Sequence, residues 1–269
     1  MTGDPEFRGT AAQLALQRGV LDWTERATTT PGLFQGGRLV GIDDLPALGD
    51  AWVTRIYDAL GAVIVKFLPA ADEADFRARF AADGRRYTGW DVFIGGRDAL
   101  AVSEARLGAA ALPAGWCLGA LDPDASPETI AAIQGLQEIS GVAPVPGYYQ
   151  RGQAVPAVVA LLTDAADGIV ATAQAYARHH AESPWAGYVF AGMVAVHPDH
   201  RRRGFGALIN AQAISLAFQR LPCTHVYEHA AADNRPSRGM IEACGLRQNP
   251  GERCIMFHDA ARYGVHFTK

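Results

Sequence analysis

The apolar positions of this chain change period several times, and each change marks an element. Between residues 10 and 29, Ala, Leu and Trp23 fall on one face of a helix. Pro31, Gly32, Gly36 and Gly37 then break the pattern. A second helical stretch, 45–60, carries Leu48, Trp52, Ile56 and Leu60. Gly61–Leu68 is a nearly continuous apolar run and predicts a buried strand. Asp72–Arg86 predicts a helix, with acids early and arginines late to suit the helix dipole, and Tyr87–Gly95 a further strand. A Pro/Gly boundary at Leu112-Pro113-Ala114-Gly115 divides the chain into an N-terminal α/β region, 1–112, and a second unit, 113–269.

The second unit opens with a strand at 116–120. Ser126-Pro127-Glu128 then supplies an N-cap, a first-turn Pro and a first-turn acid for a helix reaching Ile139. Residues 141–150 read as a loop that would face a ligand, with Tyr148 and Tyr149 in it. Ala157–Thr163 and Gly168–Tyr176 form a hairpin around Asp164-Ala-Ala-Asp-Gly168. Further strands are expected at 186–196, 223–230, 253–258 and 263–268, and a short helix at 236–243 before Gly245. The opening residues, Met1–Phe7, read as unstructured.

Composition narrows the classes. The 269 residues are 49% hydrophobic and 19% charged, so a sizeable core is affordable. The net charge of −4 argues against a general nucleic-acid binder. No apolar run has transmembrane length and no leader is recognised, so a cytoplasmic protein with no membrane partner is expected. Cys117, Cys223, Cys244 and Cys254 lack paired metal spacing and read as reduced thiols, and the histidines at 179, 180, 197 and 200 predict no metal site.

The chemistry concentrates between residues 186 and 217. Ala186–Val196 is apolar, β-branched and aromatic, and Pro198 ends it for want of an N–H. From Ala207 onward, Leu208, Ile209, Ala211, Ile214, Leu216 and Ala217 recur at helical spacing. Between strand and helix lie Arg201, Arg202, Arg203, Gly204, Phe205 and Gly206. A helix N-terminus presents free N–H groups, glycines allow close approach, and arginines add anion-directed donors, so the segment reads as a diphosphate cradle.

This order resembles the acetyl-CoA signature of the GNAT (Gcn5-related N-acetyltransferase) superfamily, Arg/Gln-x-x-Gly-x-Gly/Ala after a strand ending Val-x-Pro. Asn234-Arg-Pro-Ser237 resembles the same family's second motif, in which the Asn holds the pantetheine arm; read without the family, Asn234 is a helix N-cap. The resemblance spans about 113–269 and implies an α/β (α+β) fold: a mixed, mostly antiparallel sheet flanked by helices. It implies acetyl-CoA contacts at Val194, Ala195, Val196, Arg201, Arg202, Arg203, Gly204, Phe205, Gly206, Ala207, Asn234 and Ser237. Residues 1–112 carry no motif; they read as a structural or dimerising domain, or as a degenerate GNAT-like half.

Two positions depart from the family pattern: Leu246 stands for Phe, and Ile241 for the Tyr that often reprotonates the CoA thiolate. His229 occupies the place of the family's basic Glu and is expected to act as the general base, titrating at ~6.5 as shifted by burial or a nearby carboxylate. Glu228, on the opposite strand face, and Tyr188 are the other catalytic candidates. The resemblance implies an acetyl-CoA-dependent N-acetyltransferase acting directly on a small or amino acid-like primary amine. The alternatives are an acyl-CoA-binding sensor or pseudoenzyme, and a protein or peptide N-acetyltransferase. No metal is expected, and a homodimer is left open.

Overall fold

The computed structural model describes residues 6–82 and 84–264. Its ten strands form one sheet: β1 (Leu33–Gln35), β2 (Val40–Ile42), β3 (Ala62–Pro69), β4 (Arg85–Gly95), β5 (Cys117–Ala120), β6 (Ala157–Thr163), β7 (Ile169–Tyr176), β8 (Tyr188–Val196), β9 (His225–Ala230) and β10 (Arg247–Asp259). They lie in the order β1-β2-β3-β10-β4-β9-β8-β7-β6-β5. Pairing is parallel at β2–β3 and β8–β9 and antiparallel at the other contacts. The mixed, mostly antiparallel sheet flanked by helices is the architecture expected from the sequence.

The strand β10, at the end of the described chain, lies between β3 and β4, and β4 pairs with β9. The core follows the same interleaving. Phe93 of β4 and Ala99 pack in one cluster with the helix Phe205–Arg220, and each is 0% exposed. Burial on that scale is worth about 2 kcal/mol for a phenylalanine.

The two halves repeat a pattern. Phe67 in β3 and Met193 in β8 both have φ of 54°, and each marks a slip in pairing register. Each strand leads to one 3₁₀ turn, Ala70–Asp72 or Pro198–His200, and then to a helix, Glu73–Phe80 or Phe205–Arg220. A strand and another helix follow in both, Arg97–Gly108 after β4 and Arg235–Glu242 after β9. The halves differ at their centres. β10 fills the space between β3 and β4, and Glu73 and Asp75 occupy the first turn of Glu73–Phe80. That end would repel an anion.

Several local expectations change. The helix expected over 10–29 breaks at Trp23 into Ala11–Asp22, held by a Thr10–Gln13 capping box, and Thr24–Thr29. The one at 45–60 breaks at Gly49, where φ is 74°, and the one from Asp72 stops at Phe80. The glycine-marked break at 31–37 contains β1 and leads to β2; three-residue strands buried throughout show no alternation. Helix Arg97–Gly108 was not anticipated, because its buried residues are only Ala99 and Ser103. The N-terminal segment is not free where it is described. Gly147 N–H donates to Glu6 O at 2.7 Å, and Arg151 pairs with the Glu6 carboxylate at 2.6 Å. At the other end Ala260–Tyr263 is helical in place of the start of the last expected strand. Residues 265–269, the rest of that strand, and 1–5 lie outside the described residues.

Candidate active site

Two strands that begin side by side and then part create the site. β8 and β9 pair at Tyr188–His225, Val189–Val226 and Phe190–Tyr227, and the ladder ends there. Beyond Phe190, β8 bulges at Gly192 (φ 148°) and Met193 while still paired with β7 on its other side. The edge of β8 from Ala191 to Val196 therefore runs without β9 beside it. A cavity of about 690 Å³ opens at this fork, and Gly192, Met193, Val194 and His229 are among its lining residues.

Pro198 and the 3₁₀ turn after β8 carry the chain to Gly204, the N-cap of Phe205–Arg220, with φ of 81°. The first bond within this helix runs from Leu208 N–H to Gly204 O at 3.1 Å, so the N–H groups of Phe205, Gly206 and Ala207 precede the helical ladder. A Cβ on Gly204 would meet nothing within 4 Å, and one on Gly206 would first meet Met240 Sδ at 3.5 Å. Open space thus faces three backbone donors at the positive end of a sixteen-residue helix.

The three arginines divide their roles. Arg201 donates to Ser140 O at 3.2 Å and Val196 O at 3.4 Å, bracing the turn against the end of helix Pro127–Ile139. Arg203 contacts His200 Nδ1 at 3.0 Å and lies over the Phe205 ring. Arg202 is exposed, in a left-handed conformation of φ 60°. Asn234 accepts from Ser237 N–H at 3.2 Å as the N-cap of Arg235–Glu242, and both residues line the cavity.

Alternation along β9 separates the two basic candidates. Tyr227 and His229 share one face, ring centroids 5.4 Å apart, with Phe190 packed against both. Glu228 points the other way and accepts from Asn210 Nδ2, 2.6 Å away on helix Phe205–Arg220. Burial raises the Glu228 carboxyl to about 7, partly opposed by that hydrogen bond. His229 was expected at ~6.5, shifted by burial or by a nearby carboxylate. Burial, reinforced by Lys66, Arg178 and His179, holds it well below that value, and its Nε2 is buried without a partner. Tyr188 is not brought to the cavity: it stacks on His225 with centroids 4.7 Å apart. Tyr148 and Tyr149 are not there either. They sit in a helical turn, Gly147–Gln150, where Tyr148 accepts from the Gln35 side chain and Tyr149 donates to Gln35 O.

Residues from the first half complete the wall. Lys66 of β3 is 2% exposed, and its Nζ donates to Tyr227 Oη at 2.8 Å. The ammonium position is ringed by Phe34, Phe190 and Tyr227, 4.5–4.9 Å from their centroids. Tyr227 Oη also lies 2.8 Å from His179 Nε2, and His179 Nδ1 bonds to Asp43. Burial lowers His179 to about 4, so its ring carries a single N–H, directed to the Asp43 carboxylate. Nε2 must then accept from Tyr227, whose oxygen accepts from Lys66. Sequence reasoning missed this chain. Its one legible signal was Lys66, a single charge inside an apolar strand; Asp43 and His179 lie in segments with no periodicity.

The residues 137–246 match the model of the acetyltransferase (GNAT) family. These residues form a GNAT acetyltransferase domain. Among solved structures, a GCN5-related N-acetyltransferase from Kribbella flavida is 16% identical, with a TM-score of 0.53 over 94% of this chain and 96% of its own. A tandem GNAT protein from the clavulanic acid biosynthesis pathway is 16% identical, with a TM-score of 0.52 over 83% and 75%. A GCN5-related N-acetyltransferase-like protein from Streptococcus suis is 12% identical, with a TM-score of 0.53 over 82% and 78%. At such identities the likeness is one of fold, and it fits a two-half GNAT architecture. A search of curated protein sequences returns no match.

The GNAT family uses acetyl-CoA, and the residues present fit it. The open space before Gly204 and the free N–H groups suit a diphosphate, and the unpaired edge of β8 suits an amide-bearing arm. Among the described residues no helix is long and apolar enough to cross a membrane.

Proposed function

We propose that the protein is an acetyl-CoA-dependent N-acetyltransferase that acts directly on a small primary amine. The observation that carries this reading is a cavity that joins the fork of β8 and β9 to an inner wall built by both halves of the chain. Acetyl-CoA, when bound, supplies an activated acetyl thioester. The N–H groups of Phe205, Gly206 and Ala207 would hold its diphosphate, with Arg202 and Arg203 beside them. Asn234 and Ser237 would flank the arm. The N–H groups of Val194 and Val196, which alternation turns away from β7, would steady an oxygen that gains charge, while Ala195 faces the β7 ladder. The acceptor would enter from the opposite sheet face, where His229 Nε2 has no other partner and can take the amine's proton. Ile241 is 1% exposed and has no proton to give, so the return proton would come from another group or from water.

The walls favour a small acceptor. Gly141, Val142 and Val145, from the segment after helix Pro127–Ile139, line the same cavity, as does Arg38 from the first half. A peptide needs an open trough. A free-thiol assay over a panel of amines tests the reading, with calorimetric CoA binding as the control. CoA binding without thiol release from any amine would leave an acyl-CoA sensor. Gly206→Val separates cradle from scaffold: its Cβ clashes with nothing closer than 3.5 Å, so the fold should persist while CoA affinity falls at least about 10²-fold. Unchanged affinity would remove the cradle.

A further inference from the structure

The acceptor wall holds more basic side chains than the rest of the site explains. Arg38 comes from the β1–β2 connection, Lys66 from β3 and Arg178 from the segment just after β7, and all three line the cavity. None of them makes an ion pair among the described residues. Arg38 reaches only Met193 Sδ, at 3.3 Å. Lys66 is held by the Tyr227 hydroxyl and three rings. The Arg178 guanidinium lies 3.9 Å over the Phe190 ring, and its Nε and Nη2 are buried with no hydrogen-bond partner.

Those two nitrogens matter as a pair. Nε–H and Nη2–H form one edge of the guanidinium, the edge that meets two oxygens of a carboxylate or phosphate side-on. A buried, unsatisfied fork of this kind is costly unless a ligand completes it. Among the described residues no acid pairs with it. Asp43 is committed to His179 and Ser183; Glu228 and Asp233 line the same cavity, but Glu228 points to the other sheet face and is bonded to Asn210, and Asp233 is exposed between β9 and helix Arg235–Glu242. The neutral groups facing the arginines are Tyr149, Tyr176 and Tyr227, whose phenol protons are held by burial.

Resting on the acetyltransferase reading, we propose that the acceptor amine carries a paired-oxygen anion, of the amino-acid class, seated on Arg178 Nε and Nη2 with Arg38 beside it. This gives the first half of the chain a role in recognition, since Arg38 and Lys66 both belong to it. It also ties recognition to proton transfer. The cations that depress His229 include Arg178, and an anion on Arg178 would relieve part of that depression.

The test compares matched pairs: standard amino acids against their carboxamides, and aminoalkylphosphonates against the corresponding amino alcohols. Initial rates with acetyl-CoA are read alongside calorimetric binding of the N-acetylated compounds to the CoA-loaded protein. The expected result is a preference of at least about 10²-fold for the anionic member, in rate and in affinity. Arg178→Gln should reduce it to about 3-fold or less. Arg178→Lys, which keeps charge without the fork, should fall between. If Arg178→Gln melts early, Arg38→Gln provides the second reading. The carboxylate and phosphonate arms distinguish which anion fits. Equal rates for charged and neutral members would overturn the seat while leaving acetyl transfer standing. Anion-selective binding without any turnover would sustain the seat and remove the transfer reading. No selective binding in either arm would overturn the seat.

Discussion

Lys66 of β3 gives a hydrogen bond to the hydroxyl of Tyr227 on β9, 2.8 Å away, across two intervening strands of the sheet. The bond joins the half without a cofactor motif to the face of β9 that carries His229. It also holds an amine where its charged form is disfavoured, chiefly by burial and then by Arg178.

That amine predicts a pH signature. The folded state binds the Lys66 proton more weakly than the unfolded chain, whose lysine titrates near 10.5. Between the depressed folded value and 10.5 the unfolded state holds more protons, so stability rises with pH across that window. Lys66→Met should flatten the rise. Urea denaturation at several alkaline pH values checks this, and a variant with the wild-type slope would show the amine to be charged in the fold.

Glu228 has the opposite sense. Its folded value of about 7 lies above the ordinary 4.5, so the unfolded chain ionises first. Stability falls as pH rises from 4.5 through 7, by on the order of 3 kcal/mol. Glu228→Gln keeps the bond from Asn210 and cannot ionise. It should exceed wild type in stability at pH 8 by more than it does at pH 5. An equal difference at both pH values would place Glu228 in a wetter setting than the fold shows.

His229 should matter to turnover without setting a near-neutral limb. In the free protein its imidazole is already neutral well below pH 6.5, so kcat/KM should show no His229 inflection near 6.5. His229→Gln should lower kcat by roughly 10²-fold with CoA affinity unchanged. Stopped assays across pH, paired with calorimetry, check both. A variant with full turnover would move the proton acceptor to Lys66 or to water.

A fragment starting at residue 113 should not fold. It would strip β10 of both neighbours, β3 and β4, and expose the edge of β9. Circular dichroism and solubility of the fragment are the measurements. A soluble fragment that melts cooperatively would show that β9 and β10 can pair without the first half.

The strand, turn and helix start that frame the proposed cradle were legible in the chain because they are local. A β-branched strand, a Pro stop, a glycine with positive φ and a helix start fall within twenty residues. Backbone geometry alone then leaves the N–H groups of Phe205, Gly206 and Ala207 ahead of the helical ladder. The caps Ser126 and Asn234 were legible for the same reason. Alternation along β9 correctly put Tyr227 with His229 and Glu228 apart from them.

The acceptor wall was decided only by tertiary structure. Arg38, Lys66 and Arg178 come from three separate places in the chain and meet because the strands of the two halves form a single sheet. Burial, which no periodicity reports for a lone polar residue, then moves His229 down and Glu228 up. The sequence by itself determined the strand, the turn and the helix start at Gly204, since helix ends and glycines act over a few residues. Which groups face the acceptor, and with what charge, depended on long-range strand pairing and desolvation.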